Sequence, residues 1–264
     1  MMGGRPIIGI TSELDAARWG NWVREAVVSP VTYTRAVERA GGVPIVLAPI
    51  PPGGVNSLVA GVGALLFTGG RDIDPSLYGQ ERLDDTDLPE RRRDRFELEL
   101  MRAALDAGVP VLAVGRGLHV LSLARGGALI QDLPGHRPDP VKYQPHEVRL
   151  TGSSTLGKLL GTSVVVPAAH HQAPAPGRLG DGVTLAGWSP SDEVTEAIEV
   201  DGQRFAVGVH WHPEEGDDPR LLEALVVAAA EQRRPPAPEA RHPGGGSPVP
   251  GRKPGKAKAR ASGR

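Results

Sequence analysis

No cysteine occurs anywhere in the 264 residues, which excludes disulfides, thiolate metal sites and thiol nucleophiles together. Aromatic residues are scarce as well, at 4%, so a core has to be assembled mainly from aliphatic side chains. No apolar run approaches the roughly 20 residues that a membrane-spanning helix requires. The first residues, Met1 to Arg5, pass straight into an apolar segment and offer no secretory h-region. The resulting expectation is a cytoplasmic protein without membrane attachment, although missing thiols alone say little about compartment.

A large excess of one charge is also lacking, but the formal total of −1 conceals a division. Residues 235–264 carry seven Lys/Arg against the single acid Glu239, a net +6, which leaves 23 basic and 30 acidic residues and a net −7 for positions 1–234. An acidic body argues against nucleic acid as the partner of the folded part, because neutralising phosphates supplies most non-specific affinity. The basic segment is rich in Pro and Gly and almost devoid of large apolar residues. It reads as a disordered tail, 234–264, behind one domain over residues 5–233. A solubilising role is the plain reading of that tail, and nucleic acid or an acidic partner the sharper one.

What is present centres on Val109 to Leu121. A buried-strand run, Val111 to Val114, meets Gly115-Arg116-Gly117 and continues directly into a helical pattern, with no room for a loop. In enzymes built on such a strand, elbow and helix, the residue at the tip is the nucleophile. Here the tip is Gly115.

Upstream, Pro6 to Thr11, Val43 to Ala48 and Gly63 to Phe67 read as strands. They are separated by a helix with Ser29 as N-cap and a short helix near Asn56. The third strand runs into Thr68-Gly69-Gly70-Arg71-Asp72, where a glycine pair lets backbone amides approach a ligand. Leu83 to Glu90 reads as a surface loop, and Asp94 as the cap of an amphipathic helix ended by Gly108. Arg91-Arg92-Arg93 reads as a solvated charge run. Downstream, Glu147 to Leu150, Ser163 to Val166, Val183 to Trp188, Val194 to Val200 and Arg204 to His210 form β-like runs, followed by a helix from Leu221 to Ala230. The expected fold is α/β: a mostly parallel, doubly wound sheet with an antiparallel extension and ligand sites at the carboxyl strand ends.

His212 and Glu214 are the right types for a general base and the carboxylate that orients it. Paired histidines His170-His171 near prolines are ordinary loop residues or pocket residues. His119, His171, His210 and His212 show no ligand spacing such as H-x-x-x-H, so no metal and no cofactor is expected.

Several segments together resemble the gamma-glutamyl-gamma-aminobutyrate hydrolase family, of the class I glutamine amidotransferase-like (flavodoxin-like) fold. They are Thr68-Gly69-Gly70-Arg71-Asp72, Arg93-Asp94 with Glu97, Gly115-Arg116-Gly117, Gly126-Gly127 with Gln131-Asp132, His170-His171-Gln172-Ala173, Glu196-Ala197-Ile198 and Gly208 through Glu214. The resemblance implies attack by an elbow cysteine on a gamma-glutamyl amide, with His212 as base, Glu214 as orienter, and the backbone amides of Gly70 and Arg116 as oxyanion donors. It further implies Gly69, His119, His171 and Gln172 as substrate-facing residues. Three positions depart from the pattern: Gly115 stands at the nucleophile, and His119 and His210 stand where glutamines are usual. The expected function is a gamma-glutamyl-binding or regulatory pseudoenzyme for a small gamma-glutamyl compound. The alternatives are an amide hydrolase in which His212 and Glu214 activate water, and a structural partner of another enzyme. A homodimer is compatible with the sequence and not required by it.

Overall fold

The computed structural model describes residues 4–51, 53–134, 136 and 143–232. The tail expected over 234–264 and the domain end near Arg233 lie outside these residues. The chain begins with β1 (Ile7–Thr11), a hairpin of β2 (Glu13–Trp19) and β3 (Trp22–Val28), α1 (Val31–Arg39), β4 (Val43–Leu47), α2 (Val55–Gly61) and β5 (Ala64–Phe67). A 3₁₀ turn, Pro75–Tyr78, precedes α3 (Arg91–Asp106), β6 (Val111–Val114), α4 (Arg116–Ala124) and the short β7 (Leu129–Ile130). Next come β8 (Gln144–Leu150), α5 (Thr155–Leu160), β9 (Ser163–Ala168), β10 (Ala173–Pro174), β11 (Val183–Trp188), β12 (Thr195–Val200) and β13 (Ala206–Val209). A second 3₁₀ turn, Pro213–Glu215, leads into α6 (Arg220–Gln232).

A nine-stranded sheet in the order β4-β1-β5-β6-β13-β12-β11-β8-β9 organises these elements. The pairs from β4 to β13 are parallel, and those from β13 to β9 are antiparallel. The parallel strands β5, β6 and β13 are buried at every position, as a sheet covered on both faces requires. Alternation sorts their side chains: Leu66, Leu112, Val114 and Val209 join α1 and α6 in one core. Leu65, Phe67, Val111 and Ala113 join α2, α3 and α4 in the other. This is the mostly parallel architecture with an antiparallel extension that the chain order predicts.

Three local expectations are corrected. Pro30 has ψ 132, so α1 starts one residue later than its sequence suggests, and Ser29 is too far back to cap it; its Oγ has no hydrogen-bond partner. Glu90, not Asp94, caps α3, its carboxylate accepting from the amides of Arg92 and Arg93. Arg93 does not belong to a solvated run, for its side chain is only 2% exposed. The β2–β3 hairpin was not anticipated; its register puts Trp19 opposite Trp22 around Gly20-Asn21.

Candidate functional site

The carboxyl ends of β5, β6 and β13 open on one crevice of about 470 Å³, lined by Gly69, Gly70, Gly115, Arg116, His119, His171, Gln172 and His212. Every residue expected there is therefore present except Glu214, which stands behind His212. His170, which reads in sequence as a loop or pocket residue, lines it too, and so do Asp72 and Asp87, which had not been singled out for that role.

Gly115 makes the elbow. Its φ of +53 and ψ of −114 lie in a region that a residue with a Cβ enters only under strain. Its N–H donates to the Val209 carbonyl at 2.8 Å, tying the tip to β13, while its carbonyl accepts from Leu118 to start α4. The elbow geometry is thus fixed by backbone bonds and does not depend on a side chain at its tip.

His212 faces that tip. Its backbone N–H is held by the Pro167 carbonyl at 2.8 Å, and its Nδ1 lies 2.7 Å from Glu214 Oε1. A carboxylate accepts, so Nδ1 carries the hydrogen and Nε2 of the neutral ring is left as a base. A Cβ placed on Gly115 would sit 3.2 Å from that Nε2. A Cβ on Gly69 would come within 2.9 Å of the same imidazole, so the close approach of the Thr68-Gly69 turn needs glycine there. Tyr33 Oη accepts from the Gly69 amide at 2.9 Å. Burial and the Glu214 carboxylate push its phenol well up, so it stays neutral.

Buried charges brace the turn and the elbow. Arg93 donates to Glu97 at 3.0 Å, to Thr68 Oγ1 at 3.0 Å and to the Gly69 carbonyl at 2.7 Å. Arg116 pairs with both Asp94 and Glu97. Burial alone would raise Glu97, but Arg116 and Arg93 outweigh it and hold the carboxyl below its ordinary range. At Asp94 burial wins and the carboxyl is raised. The family-like Arg93-Asp94 and Glu97 are thereby placed as support beneath the crevice.

His171 sits between carboxylates, with Nδ1 2.9 Å from Asp132 and Nε2 3.3 Å from Asp72. Burial raises the Asp72 carboxyl, but its contact with His171 and the hydrogen bond it accepts from the Asp87 amide more than reverse this. Gln172 donates to the Gln131 carbonyl at 2.9 Å. His119 is turned towards His210, Nε2 to Nε2 at 2.9 Å, and burial followed by the influence of His170 pushes its pKa down to about 3. Burial likewise lowers His210. Glu196 is fully buried, with His146 Nε2 at 3.0 Å and His170 Nε2 at 3.2 Å from its Oε1. Sequence spacing gave no hint that His170, Glu196 and His210 converge, because three separate segments deliver them.

Chemically, the crevice offers an oriented imidazole base, neutral donors and acidic partners, around a tip with no side chain. Among known proteins, residues 6–214 match the Peptidase C26 family. A Mycobacterium tuberculosis protein, "Putative glutamine amidotransferase Rv2859c", is 40% identical over 86% of this chain and 75% of its own. The Escherichia coli K12 gamma-glutamyl-gamma-aminobutyrate hydrolase PuuD is 31% identical over 69% of this chain and 76% of its own. A glutamine amidotransferase structure from Thermotoga maritima superposes with a TM-score of 0.55 at 13% identity, covering 88% of this chain and 98% of that one. With that fold, these strand-end motifs in order and a match spanning most of its length, the chain belongs to the Peptidase C26 family of glutamine amidotransferase-like and gamma-glutamyl hydrolase proteins.

Proposed function

We propose that this protein binds a small gamma-glutamyl compound in the crevice without the covalent step of its relatives, as a ligand-binding or regulatory pseudoenzyme. One observation carries the reading. The elbow keeps its backbone form and its facing His212–Glu214 pair, while the tip is Gly115 and the chain has no cysteine. Losing a covalent nucleophile leaves only the rate that oxyanion donors and binding supply. In this reading the amides of Gly70 and Arg116 receive the amide oxygen, and Gly69, His119, His171 and Gln172 contact the rest of the ligand. A cytoplasmic location and a homodimer belong to the same proposal, and fractionation and light scattering test them.

Calorimetry with gamma-glutamyl-gamma-aminobutyrate is expected to give saturable binding in the millimolar range or tighter, with the ligand recovered intact. Absence of binding there would instead favour a structural role beside another enzyme. A second reading rests on Nε2 of His212, which faces the space above Gly115 and can serve as a base towards water. Multiple turnover that His212→Ala abolishes would put that reading in place of the first.

A further inference from the structure

Beside the crevice, His170 in the loop after β9, Glu196 on β12 and His210 at the end of β13 bring one donor atom each within 4.8 Å of one another. The backbone N–H of His210 donates to the Glu196 carbonyl at 2.9 Å, so the two strand positions are locked together. Glu196 Oε1 lies 3.2 Å from His170 Nε2, and Glu196 Oε2 lies 3.8 Å from His210 Nδ1. Donors bound tetrahedrally at zinc distances are about 3.4 Å apart. These two separations, one to each carboxylate oxygen, bracket that value, and the three donors taken one per residue lie within 4.8 Å of one another, so closing on an ion draws them in.

Hydrogen bonding fixes the free nitrogen at His170, and at His210 one tautomer leaves Nδ1 free. His170 Nδ1 lies 3.1 Å from the Gln172 carbonyl oxygen, which can only accept, so Nδ1 carries the hydrogen. In the neutral ring Nε2 then presents a lone pair to a carboxylate oxygen. At His210, Nε2 is taken up with His119 Nε2 at 2.9 Å. His210 Nδ1 and Glu196 Oε2 both lack a hydrogen-bond partner, in residues with no solvent exposure. A buried carboxylate oxygen and a buried imidazole nitrogen, each without a partner, are costly unless a cation lies between them. A ligating histidine usually donates its other ring N–H to an acceptor. His170 meets that condition through Gln172, and His210 can meet it through His119.

We propose that His170, Glu196 and His210 bind one divalent transition-metal ion of the zinc class, with His146, 3.0 Å from Glu196 Oε1, as the nearest further donor. The site borders the crevice, since His170 lines it and His210 contacts the crevice residue His119. The rings of His170 and His210 are stacked, 4.1 Å between centroids and 23° between planes. Lone pairs of near-parallel rings do not meet at one point, so loading requires one ring to turn. The ion therefore reorganises a wall of the crevice, which goes beyond the ligand-binding reading above and does not depend on it.

The test uses the full-length, untagged protein, stripped with chelator and dialysed against zinc chloride. About one equivalent of tightly held zinc is expected, with a higher melting temperature for the loaded form. Cobalt in place of zinc is expected to give the intense visible bands of four-coordination. His210→Gln and His170→Ala are expected to weaken zinc binding by more than about 100-fold, whereas His171→Ala leaves it unchanged. Should the histidine variants not fold, the nearly isosteric Glu196→Gln carries the same comparison. Uptake below about a tenth of an equivalent would overturn the proposal, as would undiminished uptake by the variants. Nuclear magnetic resonance showing His170 as a doubly protonated imidazolium that zinc does not displace would overturn it as well, leaving a proton as the cation beside Glu196.

Discussion

Two buried polar groups flank the crevice and are built on opposite principles. Beneath the elbow, Arg93, Asp94, Glu97 and Arg116 combine two positive and two negative charges, and among the described residues none of their buried side-chain atoms lacks a partner. On the side of β12 and β13, one carboxylate faces several imidazoles, and Glu196 Oε2, His210 Nδ1 and His119 Nδ1 lack a hydrogen-bond partner. A saturated network has nothing to offer a ligand and acts as scaffold, whereas an unsaturated one holds binding capacity in reserve. The comparison separates the residues that keep the elbow in place from those that can respond to something added.

The saturated side is where single changes should cost most. Arg116→Met strands Asp94 and Glu97 in the interior, and breaking such a buried pair costs about 3–5 kcal/mol. Urea denaturation should show that loss at neutral pH. A cost below about 1 kcal/mol would mean that water reaches the charges, and the contrast with the histidine side would fail.

Acid should sharpen the comparison from the other side. Burial holds His119 neutral down to about 3, whereas in the unfolded chain it titrates near 6.5. Between those values the unfolded state binds the extra proton, so stability falls as pH is lowered through that window and is unaffected by this group above it. The melting temperature should drop more steeply from pH 6.5 downward in the wild type than in His119→Gln. Equal slopes would show that His119 contributes no such linkage.

The smallest effect is expected outside both groups. Residues 235–264 bring net positive charge and almost no large apolar side chains. Removing them should change stability by less than about 0.5 kcal/mol. A truncated chain that melts many degrees lower would place part of the stabilising contacts in that segment.

Much of this arrangement was legible in the chain order. The elbow, the glycine pair Gly69-Gly70 and the His212–Glu214 pair each sit beside a short apolar run, so local pattern located them and their shared sheet brought them together. The hairpin carried a usable signal, Gly20-Asn21 between two β-like runs, which went unread because its mostly solvent-facing strands mix apolar and charged residues without a clean alternation. Asp94 looked like a cap because the sequence does not show that Arg116, far along the chain, claims its carboxylate. The grouping of His170, Glu196 and His210 was illegible for the same reason: linear spacing finds ligands on one helix, not donors that meet only when β12 and β13 pair.

The central claim of the proposal is that the crevice, although changed at Gly115, His119 and His210, still presents an elbow and a facing His212–Glu214 pair that an attacking atom could use. Gly115→Cys tests it most directly, with hydrolysis of gamma-glutamyl-gamma-aminobutyrate measured before and after alkylation. The new thiol would stand at the start of α4 and against His212, and both settings favour thiolate. A Cβ at this backbone conformation costs about 1–3 kcal/mol, and His119 stands where the resemblance implies a glutamine, so the expected activity is weak. The account predicts turnover that is absent from the wild type and abolished by alkylating the thiol. A folded Gly115→Cys protein with a thiol inert near neutral pH and no turnover would contradict it.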